Sequence, residues 1–139
     1  MFLRFVFACF ALSACTDRSF DTRSTTLPTA KARVAFFCEA VICPSTPEDT
    51  AFHITHEEAL FGAGSTKVHA VVKVPAADVA RWSKGCSPGG AEARPAWLAE
   101  LLKGTGWTPK TAPHMLHCGA QSRVIHVKEA LVILTDERE

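Results

Sequence analysis

The sequence predicts a small α+β domain, in which two short helices accompany a mostly antiparallel sheet and disulfides staple the fold. Three observations lead to this prediction. Residues 66–74 alternate between apolar and polar side chains, which is typical of a strand with one buried face. Two segments in the middle of the chain open with proline and are followed by glycine, as short helices often are. Residues 122–127 and 130–136 form two apolar runs around Lys128-Glu129, which indicates a hairpin.

The first half of the domain is predicted to contain three strands. Residues 33–38 are a short apolar run and predict the first strand, and residues 50–55 predict the second. Residues 44–49 hold two prolines and predict a loop, as does the glycine-containing segment 61–65. The third strand, over residues 66–74, is expected to place its side chains on two faces. One face would carry Val68, Ala70, Val72 and Val74, and the other Lys67, His69, Val71 and Lys73.

Two helices are predicted after this strand. The first, over residues 76–84, begins after Pro75, and the second, over residues 96–103, begins after Pro95. Apolar residues recur three or four positions apart in both segments, so each helix would bury one side. Residues 87–90, Ser-Pro-Gly-Gly, predict a loop between them.

The N-terminus has the pattern of an export signal. Arg4 precedes an apolar run over residues 5–12, which is shorter than the ~20 residues that a membrane-spanning helix needs. The run ends in Leu-Ser-Ala-Cys at residues 12–15, which resembles the lipobox of bacterial lipoproteins. The resemblance implies that residues 1–14 are a signal peptide, that the thiol of Cys15 is acylated and that the signal is cut before it. An ordinary secretory signal, with Cys15 as a free or disulfide-bonded thiol, is the alternative.

The same resemblance implies a location. Lipoproteins of this kind carry palmitate or similar chains, so the protein would be held on a membrane by lipid on Cys15. Thr16 stands where an Asp would favour retention at the inner membrane, so the outer membrane, facing the periplasm, is expected. Residues 15–32 are rich in Ser, Thr and Asp, and predict a lipidated flexible tether. Residues 33–139 would then form a single periplasmic domain.

The middle of the chain carries a second, looser resemblance. Residues 47–107 are similar to small bacterial lipoproteins without an assigned activity, in a strand, a Val-Pro-Ala-Ala-Asp helix start at residues 74–78 and a tryptophan-bearing tail. The charge balance excludes one class of partner. The chain has 15 basic and 14 acidic residues, and loss of Arg4 with the signal would balance them. A neutral chain without a basic cluster predicts no binding to nucleic acid.

The cysteines predict two disulfides. The chain has six cysteines, of which Cys9 would leave with the signal and Cys15 would carry lipid. Four remain: Cys38, Cys43, Cys86 and Cys118. An even number in an oxidising compartment favours disulfides, and of the three possible pairings we favour Cys38 with Cys43 and Cys86 with Cys118. A redox pair at Cys38 and Cys43 is the alternative, although four residues separate them where redox motifs have two.

A metal site is the second functional hypothesis. The candidate ligands for copper or zinc are His114, His117, Met115 and His126, and a further pair is His53 with His56. Residues three apart on a strand point to opposite faces, so His53 and His56 need a bend to converge. Scattered surface histidines and no cofactor are therefore the main expectation.

Catalysis is the third hypothesis, a small envelope hydrolase. It has no named residues, because the sequence contains no Gly-x-Ser-x-Gly motif. The main hypothesis is therefore a non-enzymatic domain that binds an envelope protein, either as an assembly partner or as an inhibitor or immunity protein. Trp107, between glycine and proline segments, is the candidate binding residue, whereas Trp82 and Trp97 are expected in the core.

Overall fold

The structure is a computed structural model that describes residues 19–58, 64–90 and 92–138. Within these residues the chain forms a seven-stranded sheet in which all neighbouring strands are antiparallel. The strands are β1 (Phe20–Arg23), β2 (Asp49–Glu57), β3 (Ser65–Lys73), β4 (Ser87–Pro88), β5 (His114–Cys118), β6 (Gln121–His126) and β7 (Leu131–Arg138). Their order across the sheet is β1-β2-β3-β7-β6-β5-β4.

The helices are short. They are α1 (Ala30–Ala40), α2 (Leu98–Leu102) and two 3₁₀ helices, Ser24–Thr26 and Ala76–Trp82. None of these described helices has the length and apolar character needed to cross a membrane. The α+β class, the mostly antiparallel sheet and the disulfides are confirmed.

Both faces of the sheet are covered, which makes three layers. On one face, here called the α1 face, Phe37 and Trp82 pack with the inward side chains of β2 and β3. On the opposite face, the α2 face, Leu98 packs with Val71 and the β6 and β7 side chains. The alternation predicted for residues 66–74 is confirmed, because Val68, Ala70 and Val72 lie in the first cluster and Val71 lies in the second.

The predicted strand over residues 33–38 is wrong, since these residues lie inside α1. The Thr29 side chain accepts a hydrogen bond from the Ala32 backbone N–H (3.1 Å) and caps the helix. Helical spacing lets both Phe36 and Phe37 stack on Phe52 of β2, with ring centroids 5.6 and 5.9 Å away. A short apolar run fits a strand and a helix equally well, and here packing on β2 decides.

The sheet also begins earlier than predicted. β1 lies within residues 15–32, which were predicted to be a tether, and pairs with β2. Phe20 packs edge-on against Phe36 at 6.3 Å, and the Ser24 hydroxyl accepts a hydrogen bond from the Phe52 backbone N–H at 2.9 Å. The predicted signal peptide (1–14), the predicted acylation site Cys15 and residues 61–63 of the predicted loop lie outside the described residues.

The remaining elements follow the predictions with shifted bounds. The predicted helix over 76–84 is the 3₁₀ helix Ala76–Trp82, and the predicted helix over 96–103 shortens to α2. Gly85 and Gly104 follow them with φ of 76° and 75°, a backbone conformation that favours glycine. The β6–β7 hairpin is confirmed. Residues 87–90 are not entirely loop, because Ser87–Pro88 form β4, which pairs with β5. The sequence predicted neither strand.

Both predicted disulfides are confirmed. Cys38 bonds to Cys43 with a Cα–Cα distance of 5.5 Å, and the bridge joins the last turn of α1 to the loop after it. Cys86 bonds to Cys118 at 4.5 Å and ties the chain before β4 to the end of β5. The second bridge therefore secures the edge of the sheet where the paired strands are shortest.

Candidate functional site

The four predicted metal ligands do not converge. His114 is paired with Ile125 and so lies on the α1 face, whereas His117 is paired with Ser122 and lies with Met115 on the α2 face. His126 is buried, and its Nδ1 donates a hydrogen bond to the Thr111 carbonyl oxygen (2.8 Å). Across the described parts of the chain, no three His, Cys, Asp or Glu side chains are grouped to hold a metal. Strand alternation is the physical reason for the separation.

Trp107 does lie on an open groove. We call it the Trp107 groove, a cavity of about 780 Å³ between α2 and the segment after Trp107. Its lining residues are Arg94, Pro95, Leu98, Ala99, Leu102, Lys103, Trp107, Thr108, Pro109 and Lys110. Trp107 is half-buried, because it packs against the apolar cluster of the α2 face. The predicted exposed aromatic is therefore anchored in the core and also lines a groove, as a rigid binding side chain would.

The charged side chains that line the groove are all basic. They are Arg94, Lys103 and Lys110, and all three are exposed. Lys103 donates a hydrogen bond to Glu100 (2.8 Å), which raises the pKa of Lys103 and offsets part of its charge. Between them lie prolines, leucines and the tryptophan. A basic rim over an apolar floor is complementary to an acidic segment that also carries an apolar group.

One wall of the groove is held in place by Glu129, in the turn between β6 and β7. Its carboxylate accepts hydrogen bonds from the Thr111 backbone N–H (2.7 Å), the Thr111 hydroxyl (2.5 Å) and the Lys110 backbone N–H. The hydroxyl of Thr111, followed by the backbone donors, lowers the pKa of Glu129 to about 2. His126 holds the same segment through the Thr111 carbonyl oxygen. The wall is therefore preorganised by contacts that the sequence did not reveal.

A second hollow of about 370 Å³ lies on the other side of Trp107 and shares Lys103 as a wall. Its floor contains the ion pair of Arg33 and Asp49, joined by two hydrogen bonds of 2.8 and 2.9 Å. Arg33 also donates to the Leu27 carbonyl oxygen at 2.9 Å. Because Asp49 of β2 and the Leu27 carbonyl oxygen before α1 already engage its guanidinium, this arginine stabilises the fold.

A third cleft, of about 270 Å³, lies next to Trp97 on the α2 face. The Trp97 ring stacks on His69, with centroids 4.5 Å apart and planes 4° from parallel. Burial lowers the pKa of His69, and neighbouring Lys67 lowers it further, so the ring is neutral at pH 7. His69 is paired across β2 and β3 with His53, which lies 2.7 Å from Asp21. Only the register of the two strands reveals this histidine pair, which the sequence analysis missed.

No protein-family model, curated protein or solved structure matches this chain. The candidate function therefore depends on the predicted N-terminal signal and on the groove.

Proposed function

We propose that this protein is a lipid-anchored lipoprotein of the bacterial envelope, whose domain binds a protein partner and catalyses no reaction. The Trp107 groove is the observation that carries the proposal. The groove combines an aromatic ring, an apolar floor and three basic side chains, of which Lys103 is also paired with Glu100. This combination favours a partner segment that is acidic and presents one apolar side chain. The Leu-Ser-Ala-Cys signal at residues 12–15 supports the envelope location.

The energetic roles of the groove residues differ. A tryptophan that is half-buried before binding and covered on binding is expected to contribute most of the affinity. The rim cations are solvent-exposed, so they are expected to raise the association rate and to make binding weaken with salt. An inhibitor of a toxin or hydrolase and an assembly partner would both use this arrangement.

The test uses photo-crosslinking in intact envelopes, with the crosslinker placed at Thr108 in the groove. We expect one crosslinked partner. Trp107→Ala should weaken its affinity by about 30-fold or more, since hot-spot truncations cost about 2 kcal/mol or more, and the amount captured should fall with it. Because Trp107 also packs on the core, Lys103→Glu with Lys110→Glu serves as a second variant that leaves the core intact.

Lys84→Glu is the matched control, because Lys84 is an exposed lysine outside the groove. Capture that is lost with the two rim reversals and retained with Lys84→Glu supports the proposal. Capture that is unchanged both in the variant with the two rim reversals and in Trp107→Ala refutes the proposal. Lipidation is tested separately by the mass of the N-terminal peptide, which should carry acyl chains on Cys15 and lose them in Cys15→Ala.

A further inference from the structure

The chain enters the sheet at one end, which we call the anchor end. Ser19, the first described residue, accepts a hydrogen bond through its hydroxyl from the Glu58 backbone N–H (3.2 Å). Glu58 follows β2, whose last residue Glu57 is paired with Ser65 at the start of β3. The described residues of this end include four that are polar and exposed, Ser19, Glu57, Glu58 and Ser65, and the partly exposed ring of Phe20.

The Trp107 groove lies toward the opposite end of the sheet. Asp49 begins β2 there and is paired with Lys73, which is paired in turn with Leu131 of β7. His126 is paired with Leu131, and the turn between them carries Glu129. His126 and Glu129 are the two residues that hold the groove wall at Thr111. β2 runs from Asp49 to Glu57, which separates the two ends by about 26 Å.

Few residues join the anchor end to the proposed lipid. Cys15 precedes Ser19 by four positions, so even a fully extended chain spans at most about 14 Å between them. A tether that reached residue 32, as the sequence predicts, would span up to roughly 60 Å. The pairing of β1 with β2 removes most of that reach.

We infer that lipid on Cys15 holds the anchor end against the bilayer headgroups and that the Trp107 groove meets its partner in the aqueous layer within about 40 Å of the same membrane. This inference rests on the proposed lipidation. An inverted domain, with the groove end on the bilayer and the anchor end outermost, would need a link of about 26 Å, which is longer than residues 15–19 allow. The polar residues of the anchor end are compatible with lipid headgroups. The groove could not contact a partner that stays more than about 40 Å from this membrane.

The test measures energy transfer from a dye on the protein to an acceptor-labelled lipid. The full-length lipidated protein is reconstituted in phosphatidylcholine vesicles and, separately, in vesicles that also contain phosphatidylglycerol. The dye is placed at Glu57 in one sample and at Lys110 in the other, through a noncanonical amino acid that spares the disulfides. The matched variant carries fifteen Gly and Ser residues inserted between Asp17 and Arg18.

We expect stronger transfer from position 57 than from position 110 in both vesicles, and a smaller difference between the two positions in the lengthened variant. Equal transfer from both positions with the natural link, in either vesicle, overturns the proposed orientation of the domain. If the transfer is equal only in vesicles with phosphatidylglycerol, the basic rim of the groove lies on the bilayer. The N-terminal mass separates the two failures. An unacylated Cys15 overturns the lipid anchor and this inference together, whereas an acylated Cys15 with equal transfer overturns the orientation alone.

Discussion

The two disulfides should contribute unequally to stability, because they close loops of very different length. Cys86 and Cys118 are 32 residues apart, whereas Cys38 and Cys43 are 5 apart. Each crosslink lowers the conformational entropy of the unfolded chain, and the loss grows with the logarithm of the loop length. At 25 °C this gives about 3.7 kcal/mol for the long loop and about 2.1 kcal/mol for the short one.

The perturbation is the pair of double variants Cys86→Ala with Cys118→Ala and Cys38→Ala with Cys43→Ala. Removing the long-loop bridge should lower the free energy of unfolding by about 1.6 kcal/mol more than removing the short-loop bridge. For a domain of this size the extra loss corresponds to a Tm lower by roughly 5–10 °C. The variant without the long-loop bridge should also show the larger urea m-value, because its unfolded chain expands further.

The assay is urea unfolding without reductant, followed by tryptophan fluorescence, since Trp82 is fully buried and reports on the core. Each double variant serves as the control for the other. Equal losses, or a larger loss from removal of the short-loop bridge, would refute the argument from the unfolded chain and would locate the stabilisation in native contacts.

Two further predictions concern buried and capping contacts. Arg123 is buried, donates to the Trp82 carbonyl oxygen (2.7 Å) and to Gln121 (2.7 Å), and lies over the Trp82 ring. Arg123→Met removes the donor of both acceptors. It should therefore lower the free energy of unfolding, measured by urea titration, by about 2–4 kcal/mol. The exposed Arg81→Met is its control, expected to cost less than about 0.5 kcal/mol, and equal effects would contradict the buried role. Glu129→Gln should speed amide hydrogen exchange at Lys110 and Thr111 at pH 7. In the unaltered protein the pKa of Glu129 is lowered to about 2. The carboxylate therefore protects the two amides fully above the unfolded pKa near 4.5, and this protection is lost as the pH falls toward about 2. Loss of protection centred near pH 4.5 would disprove the prediction.

The parts of the fold that depend on short-range rules are predictable from the sequence. Alternation along residues 66–74 is a local property, and β3 has the predicted faces. Gly85 and Gly104 end helices because their positive φ is a local requirement. The cysteine count and spacing predicted both bridges. The acylated Cys15 stays a prediction.

The elements that the sequence analysis missed depend on distant partners. β1 and β5 are short, and each becomes a strand through a neighbour, β2 or β6. The apolar run at 33–38 is helical because a helix lets both Phe36 and Phe37 pack on Phe52, on the same face of the sheet. Propensity over so few residues is weak, so tertiary packing decides their conformation.

The candidate site divides in the same way. The sequence by itself determined that Trp107 lies between glycine and proline segments, whereas His114 and His117 separate because pairing with β6 makes their segment a strand. Only the tertiary structure brought Arg94, Lys103 and Lys110 around that tryptophan and put Glu129 behind the groove wall. A groove is made of side chains from distant segments, and the register that brings those segments together is set by burial of the whole sheet rather than by any one of them.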